Sequence, residues 1–409
     1  MVVGLTLSCR RLAQDFGNPP EIQWIKSYSG CINFIKQCPD GDYFLVGSKG
    51  YPGKGYDIFI IKTGKEGDSL KARNYGGWES EHLKSIGIAS DGSLILAGCS
   101  IGNREYSGFY IKADSLGDSL FGDKYECSID AILQADNGEN ILVSKKENSI
   151  LFSRINAKGD TLWSKSNETI TDKFSIRQIS DSLIIVVYDG DEGEIPSKIE
   201  FDGMVIWKKY LPGMIQFTWV NSAAETMDGG FFLVGTSTQY PTRLYLMKTD
   251  NSLNISWDKT YDIAGSGVGY SICKISKDEY VILGTGESFG MWNFDTPYWF
   301  ERIIIPIGEK YSTISKFLEL IGIGVYSNLL IYKINSDGEI LWRKKIMTKK
   351  TWDIHSFSSA MVYCTLTPPR FWENFTLEVT SDNSIIVGGF FDGAEGTKTS
   401  YLIKLKPEK

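Results

Sequence analysis

Apolar runs of four or five residues, rich in Ile, Val, Leu, Phe and Tyr, recur along the chain between turns that carry Gly and Asp. Such runs, bounded by turn residues, predict short β-strands. They follow a fixed order. A strand a, such as Ser85-Ile86-Gly87-Ile88, leads into the turn Asp91-Gly92 and then into a strand b, Leu94-Ile95-Leu96-Ala97-Gly98. Asp-Gly supplies the positive φ angles that a tight hairpin needs. A strand c ending in Lys follows, as in Phe109-Tyr110-Ile111-Lys112, and after a Gly-Asp turn comes a strand d that carries Trp or a substitute. The b strands, among them Phe44-Leu45-Val46-Gly47 and Phe232-Leu233-Val234-Gly235, are continuous apolar runs ending in a small residue. That pattern suits strands buried on both faces.

The d-strand slot recurs at Trp24, Lys71, Phe121, Trp163, Trp207 and Trp257, at intervals of 42 to 50 residues. Four strands within such a period predict the blades of a propeller. The expected fold is therefore all-β, a seven-bladed β-propeller of four-stranded blades, with an eight-bladed alternative if residues 314–322 are a degraded a–b hairpin. The chain opens on a d strand at residues 24–28 and ends on a c strand at residues 401–405, so the N-terminal strand is expected to complete the last blade. Residues 1–20 read as an apolar or structureless N-terminal segment, and residues 21–409 as one propeller domain.

Blade geometry sends the a–b and c–d turns to one end and the b–c and d–a connections to the other. The first set is uniformly tight. The second takes two insertions, at about residues 288–325 and 346–370, and long loops on a rigid scaffold are where binding concentrates. Trp292, Tyr298 and Trp299 fall in the first, and Trp352, His355, Tyr363, Arg370 and Trp372 in or beside the second. Trp, Tyr and Arg dominate recognition hot spots, and aromatic faces stack on sugars. The same rings could instead pack on one another as a satellite core that seals the loops.

A net charge of -7 argues against a nucleic-acid partner, which would want a basic face. No apolar run is long enough to span a bilayer. Two histidines, His82 and His355, cannot build a multi-His metal site. Asp189, Asp191 and Glu194, in one acidic loop, are candidate calcium ligands, with a solvated charged hairpin as the alternative. No other cofactor is implied. The cysteines have no CxxC spacing and read as buried thiols.

The units around Tyr75-Gly76-Gly77 and Asp228-Gly229-Gly230-Phe231-Phe232-Leu233-Val234-Gly235-Thr236-Ser237 resemble a broad class of bacterial secreted and cell-envelope propellers. The resemblance covers residues 24–405 and implies an extracytoplasmic setting more than an activity. Residues 1–9 are similar to the tail of a bacterial lipoprotein signal, which would make Cys9 a lipidation site, although Thr6 stands where Leu is expected and no basic residue precedes the apolar run. The functional expectation is a non-enzymatic binding or scaffold propeller of the cell envelope or secreted space that recognises a protein or glycan through its aromatic insertions. The alternative is a carbohydrate-active enzyme, glycoside hydrolase-like, using carboxylates drawn from Asp295, Glu301, Asp353 and Glu373.

Overall fold

In the computed structural model, residues 15–51, 55–77, 79–89, 91–102, 106–134, 138–147, 149–168, 174–178, 183–188, 194–199, 205–208, 217–237, 243–261, 267–291, 294–295, 323–351, 375–392 and 398–407 are described. They form seven antiparallel sheets, each built on four strands in the spatial order a-b-c-d, so the chain is all-β and propeller-like. The segment proposed as a degraded eighth hairpin, 314–322, lies outside the described residues.

The chain divides into two units. Residues 22–214 and 378–409 form one unit. Sheet 1 comprises Cys31–Gln37, Tyr43–Tyr51, Gly55–Thr63 and Ser69–Tyr75; sheet 2 comprises Ser80–Ile88, Leu94–Ile101, Tyr106–Ala113 and Ser119–Tyr125. Sheet 3 holds Ile129–Gln134, Asn140–Lys146, Ser149–Ile155 and Thr161–Glu168, and sheet 4 holds Phe174–Gln178, Leu183–Tyr188, Glu194–Ile199 and Val205–Lys208. Sheet 7 takes Thr376–Val379, Ile385–Asp392 and Lys398–Leu405, then borrows Ile22–Ser29 from the start of the chain as its d strand. Trp24 stands opposite Lys404 in that pairing, as the repeat requires. The other unit, residues 1–21 and 215–377, contains sheet 5 (Phe217–Glu225, Phe231–Ser237, Leu244–Thr249, Ile255–Tyr261). It also contains sheet 6 (Gly267–Lys274, Glu279–Met291, Ile323–Asn335, Ile340–Thr351), on which Phe294–Asp295 adds a short fifth strand.

Sheets 7, 1 and 2 pack face to face through residues that alternate along strand b. Phe44 and Val46 of sheet 1 meet Ile86, Leu94, Leu96 and Phe109 of sheet 2, whereas Tyr43 and Leu45 turn the other way onto Ile386 and Leu402 of sheet 7. Both faces of the b strand are therefore core, which explains its continuous apolar run. Strand d is the outer edge and alternates exposed and half-buried residues, as at Ile22–Ser29.

The d-strand motif has a clear job. In sheet 7, Trp24 packs on Gly67 of the next sheet's c–d turn, Lys26 pairs with Asp68 at 2.6 Å, and the Tyr28 hydroxyl donates to the Gly67 carbonyl. Gly67 has φ +76, and a Cβ there would sit 2.9 Å from the indole. Sheet 5 grips sheet 6 in the same way, with Trp257 against Gly338 and Tyr261 donating to the Gly338 carbonyl at 2.9 Å. The copies that lack Trp still clasp. Phe121 lies against Gly159, while Lys71 and Arg73 both reach Asp118 and Tyr75 donates to the Gly117 carbonyl at 2.5 Å. The Trp, Lys and Tyr repeat is thus an inter-sheet staple.

Candidate functional site

The tight turns have little left to offer a ligand. In the c–d turns of sheets 2, 3, 5 and 6 the first residue's side chain accepts two backbone N–H groups, as Asp114 does from Leu116 and Asp118, and Asn335 from Asp337 and Glu339. At the a–b turns the acidic residue faces the strand-c lysine of its own sheet: Asp40 with Lys62 at 3.2 Å, Asp91 with Lys112 at 3.3 Å, Asp228 with Lys248 at 3.1 Å and Asp382 with Lys404 at 3.5 Å. The lysine stems are largely buried, with only 2 % of the Lys62 side chain exposed, and Asp42 adds a second carboxylate to Lys62 at 3.7 Å while the Tyr43 hydroxyl lies 3.2 Å from the Lys404 ammonium.

These pairs set a pH limit. The hydroxyl of Thr226, ahead of Lys248, holds Asp228 at about 2; at Asp382 partial burial acts upward, but hydrogen bonds from Thr380 and Ser384, and Lys404, bring it to about 2. A carboxylate with a depressed folded pKa contributes stability that is complete above its unfolded value of about 3.9 and is lost as pH falls through the folded value. The melting temperature is therefore expected to hold down to roughly pH 4.5 and to drop between about pH 4 and 2. A Asp228→Asn/Asp382→Asn variant should show a lower plateau and a shallower acid limb in thermal melts recorded by circular dichroism.

At the opposite end of the strands, sheet 6 differs from every other described sheet. Its b and c strands are each 13 residues long, against seven and six in sheet 5, and stay paired from Glu279↔Asn335 to Met291↔Ile323. Strand d runs for 12 residues, to Thr351, beside Val325. The outer parts of both insertions are thus continuous ladder rather than loop: the first leaves the sheet at Met291 and returns at Ile323, and the second leaves at Thr351. Both depart from the end of sheet 6 opposite its turn at Asn335 and Glu339. At about 3.3 Å per residue, the extra pairs lift the insertions roughly 20 Å beyond the ladder length of sheet 5.

Trp292, Tyr298, Trp299, Trp352, His355, Tyr363, Arg370 and Trp372 lie outside the described residues, as do Cys9, Asp189, Asp191, Glu301, Asp353 and Glu373. Glu194 opens the c strand of sheet 4 opposite Val187, and Asp295 sits in the short fifth strand of sheet 6. Among the described residues no group of three or more His, Cys, Asp or Glu is disposed to hold a metal ion. Cys31, Cys38 and Cys99 are buried and in no disulfide, and Cys127 and Cys273 are half-buried. Burial pushes the Cys38, Cys99 and Cys127 thiols up, so they are poor nucleophiles.

Sheets 1 and 2 bring together a polar group at their connection end that the sequence reading missed. The Ser100 hydroxyl lies 2.6 Å from Glu79 Oε2 and 3.3 Å from Glu81 Oε1, and Lys124 approaches Glu79 at 3.9 Å. Burial pushes the Glu81 carboxyl up, and the charge of Asp57 adds to the rise. His82 stands 6.2 Å from the Tyr56 ring and is pushed down by burial and by Lys84, which favours its neutral form. A carboxyl poised above its normal range beside a second carboxylate can exchange a proton. The signal in the chain was Glu79-Ser80-Glu81-His82, two acids one residue apart at the start of a strand and hence on one side of it.

No family model matches the chain, and no curated protein matches it. Among solved structures, a catalytically inactive virginiamycin B lyase from Staphylococcus aureus with quinupristin aligns over 93 % of this chain and 98 % of its own, at 12 % identity and a TM-score of 0.48. A putative 6-phosphogluconolactonase from Bacteroides fragilis aligns over 88 % and 94 %, at 11 % identity and 0.44. A protein of unknown function from Dyadobacter fermentans aligns over 69 % and 96 %, at 11 % identity and 0.43. Enzymes and an unassigned protein thus stand side by side among these neighbours, and the likeness is one of fold, with which activity does not travel.

Proposed function

We propose that the protein is a non-enzymatic binding or scaffold propeller of the cell envelope or the secreted space. Its ligand is a protein or a glycan, held by Trp292, Tyr298, Trp299, Trp352, His355, Tyr363, Arg370 and Trp372. The observation that carries this reading is the extended ladder of sheet 6, which gives both aromatic insertions a rigid stem at one end of one sheet. A rigid stem lowers the entropy lost when a loop closes on a partner. The envelope setting rests on the resemblance of the repeats and on Cys9.

Because Met291 pairs directly with Ile323, residues 292–322 can be exchanged for an Asn-Gly hairpin turn without disturbing the ladder. Wild type and this variant should melt with equal cooperativity, while binding on a glycan array and to native envelope extract falls at least about tenfold in the variant. Equal binding by the two, or none by the wild type, would refute the proposal. The enzymatic alternative finds support in Glu81 and Glu79, and hydrolysis of an array glycan that disappears in Glu81→Gln would favour it.

A further inference from the structure

The start of strand a in sheet 2 rests on the b–c hairpin of sheet 1. The Ser80 hydroxyl accepts the Tyr56 N–H at 3.3 Å, and a Cβ built on Gly55 would lie 2.4 Å from the same oxygen. His82 stands 6.2 Å from the Tyr56 ring. The hairpin stays paired out to Tyr51↔Gly55, and Asp57 lies on it opposite Lys49. Asp57 and Glu81 thus bring like charges to the two sides of one contact, and the charge of Asp57 acts on Glu81.

Two carboxylates share a single hydroxyl beside this contact. Ser100 is only 4 % exposed, and its Oγ lies 2.6 Å from Glu79 Oε2 and 3.3 Å from Glu81 Oε1. A hydroxyl has one hydrogen and an ionised carboxylate has none. Glu79, the nearer, takes it, so with both acids charged the longer contact sets oxygen against oxygen. Glu81 Oε2 and Asp57 Oδ1 are sealed from solvent and have no hydrogen-bond partner among the described residues, a costly state for charged oxygens. One proton on Glu81 repairs all of this: its carboxyl donates to Ser100 Oγ, Ser100 donates to Glu79, and the repulsion from Asp57 falls away. Among the described residues no trio of acids is disposed to hold a metal ion in the proton's place.

We infer that Glu81 is a proton-operated latch between sheets 1 and 2. Protonated, it completes the chain from Glu81 through Ser100 to Glu79, and the hairpin of sheet 1 stays docked on the start of strand a; ionised, it faces Asp57 as a like charge and the docking loosens. From sheet 1 the groups around it are Asp57, with Lys49 opposite, and the Gly77 N–H; from its own side they are Glu79, Ser100 and His82. Lys124 approaches Glu79 at 3.9 Å with 78 % of its side chain exposed and so neutralises it weakly. Burial pushes the Glu81 carboxyl up and Asp57 adds to the rise, while Ser100 and the N–H groups of Glu81 and Gly77 pull the other way. The closed form therefore holds the proton more tightly than the open form, whose carboxyl has its ordinary value of about 4.3. Closing is favoured in full below about pH 4.3, and the advantage is lost as the pH rises through the closed-form value.

The test is hydrogen–deuterium exchange of the full-length protein at about pH 4.5 and about pH 7.5, each corrected for its intrinsic rate and read by mass spectrometry. Peptides covering 55–58 and 80–83 should be at least about threefold better protected at the lower pH, the worth of one added hydrogen bond, while 43–47 show no such difference. Glu81→Gln, whose amide donates to Ser100 at either pH, should keep the higher protection throughout. Glu81→Ala has nothing to titrate, should show no difference, and decides alone if Glu81→Gln does not fold. Ser100→Ala should lower protection at about pH 4.5, where the chain is otherwise complete. Equal protection of the wild type at both pH values, a pH dependence that survives in the Glu81 variants, as when His82 or Glu79 is the group that titrates, or no loss in Ser100→Ala overturns the inference. Exchange of residues 292–322 should leave the pH dependence unchanged, so failure here would not touch the proposed function.

Discussion

Gly47→Ala is expected to cost about 3 kcal/mol of stability, read as a lower urea midpoint with an unchanged slope. Gly47 ends the apolar run of a b strand, and a Cβ built there would lie 1.8 Å from the carbonyl oxygen of Cys31 on strand a and 2.8 Å from the Phe59 ring. The obstacle is backbone, which cannot rotate away. Gly98 repeats the arrangement in sheet 2, with the His82 carbonyl at 2.1 Å, so Gly98→Ala should cost as much. Sheet 3 supplies the control. Its strand a begins at Ile129, directly opposite Ser144, whereas strand a of sheets 1 and 2 continues past the corresponding pairs to Cys31 and His82. Ser144 already carries a Cβ there, and Ser144→Ala should cost less than about 1 kcal/mol.

Phe232→Ala should cost more, about 3–5 kcal/mol. The ring is fully buried in the core shared by sheets 5 and 6, edge-on to Tyr280 at 4.7 Å and tilted against Trp257 at 5.5 Å, with Lys248 above it at 5.9 Å. Truncation removes three aromatic or cationic contacts and leaves a cavity between two sheets, whose backbones are fixed by their own ladders and cannot collapse into it. Phe232→Leu, which refills most of that volume, should recover more than half of the loss in the same urea titration.

Much of this architecture was legible in the chain because its signals are local. Asp-Gly and Gly-Asp turns fixed the hairpins, and the continuous apolar run of strand b pointed to burial on both faces, whereas the reason for its closing small residue, the nearby carbonyl of strand a, lies in the structure. The terminal strand exchange followed from a chain that opens on Trp24 and ends on a c strand. What escaped was non-local. Trp24, Lys26 and Tyr28 gave no sign in themselves that they grip Gly67 and Asp68 of another sheet. Glu81 and Ser100 come from two strands and Glu79 from just before the first, with Asp57 from a second sheet, so spacing could not unite them. Residues 15–17 fall in a stretch read as an N-terminal tail, yet Phe16 pairs with Arg343, because one bridge leaves no periodicity to detect. The stem of the first insertion was read as loop, since Gly286-Glu287-Ser288-Phe289-Gly290 shows neither alternation nor an apolar run. Its strand character comes from pairing with residues 324–328, almost 40 positions away.

Both insertions stand on a rigid extension of sheet 6, and hydrogen–deuterium exchange read by mass spectrometry would reveal that rigidity. Peptides covering 286–291 and 323–328 should exchange as slowly as those covering 281–284, with opening free energies near the global value. Exchange of these stem amides within seconds, while 281–284 stay protected, would mean that the insertions have no rigid stem.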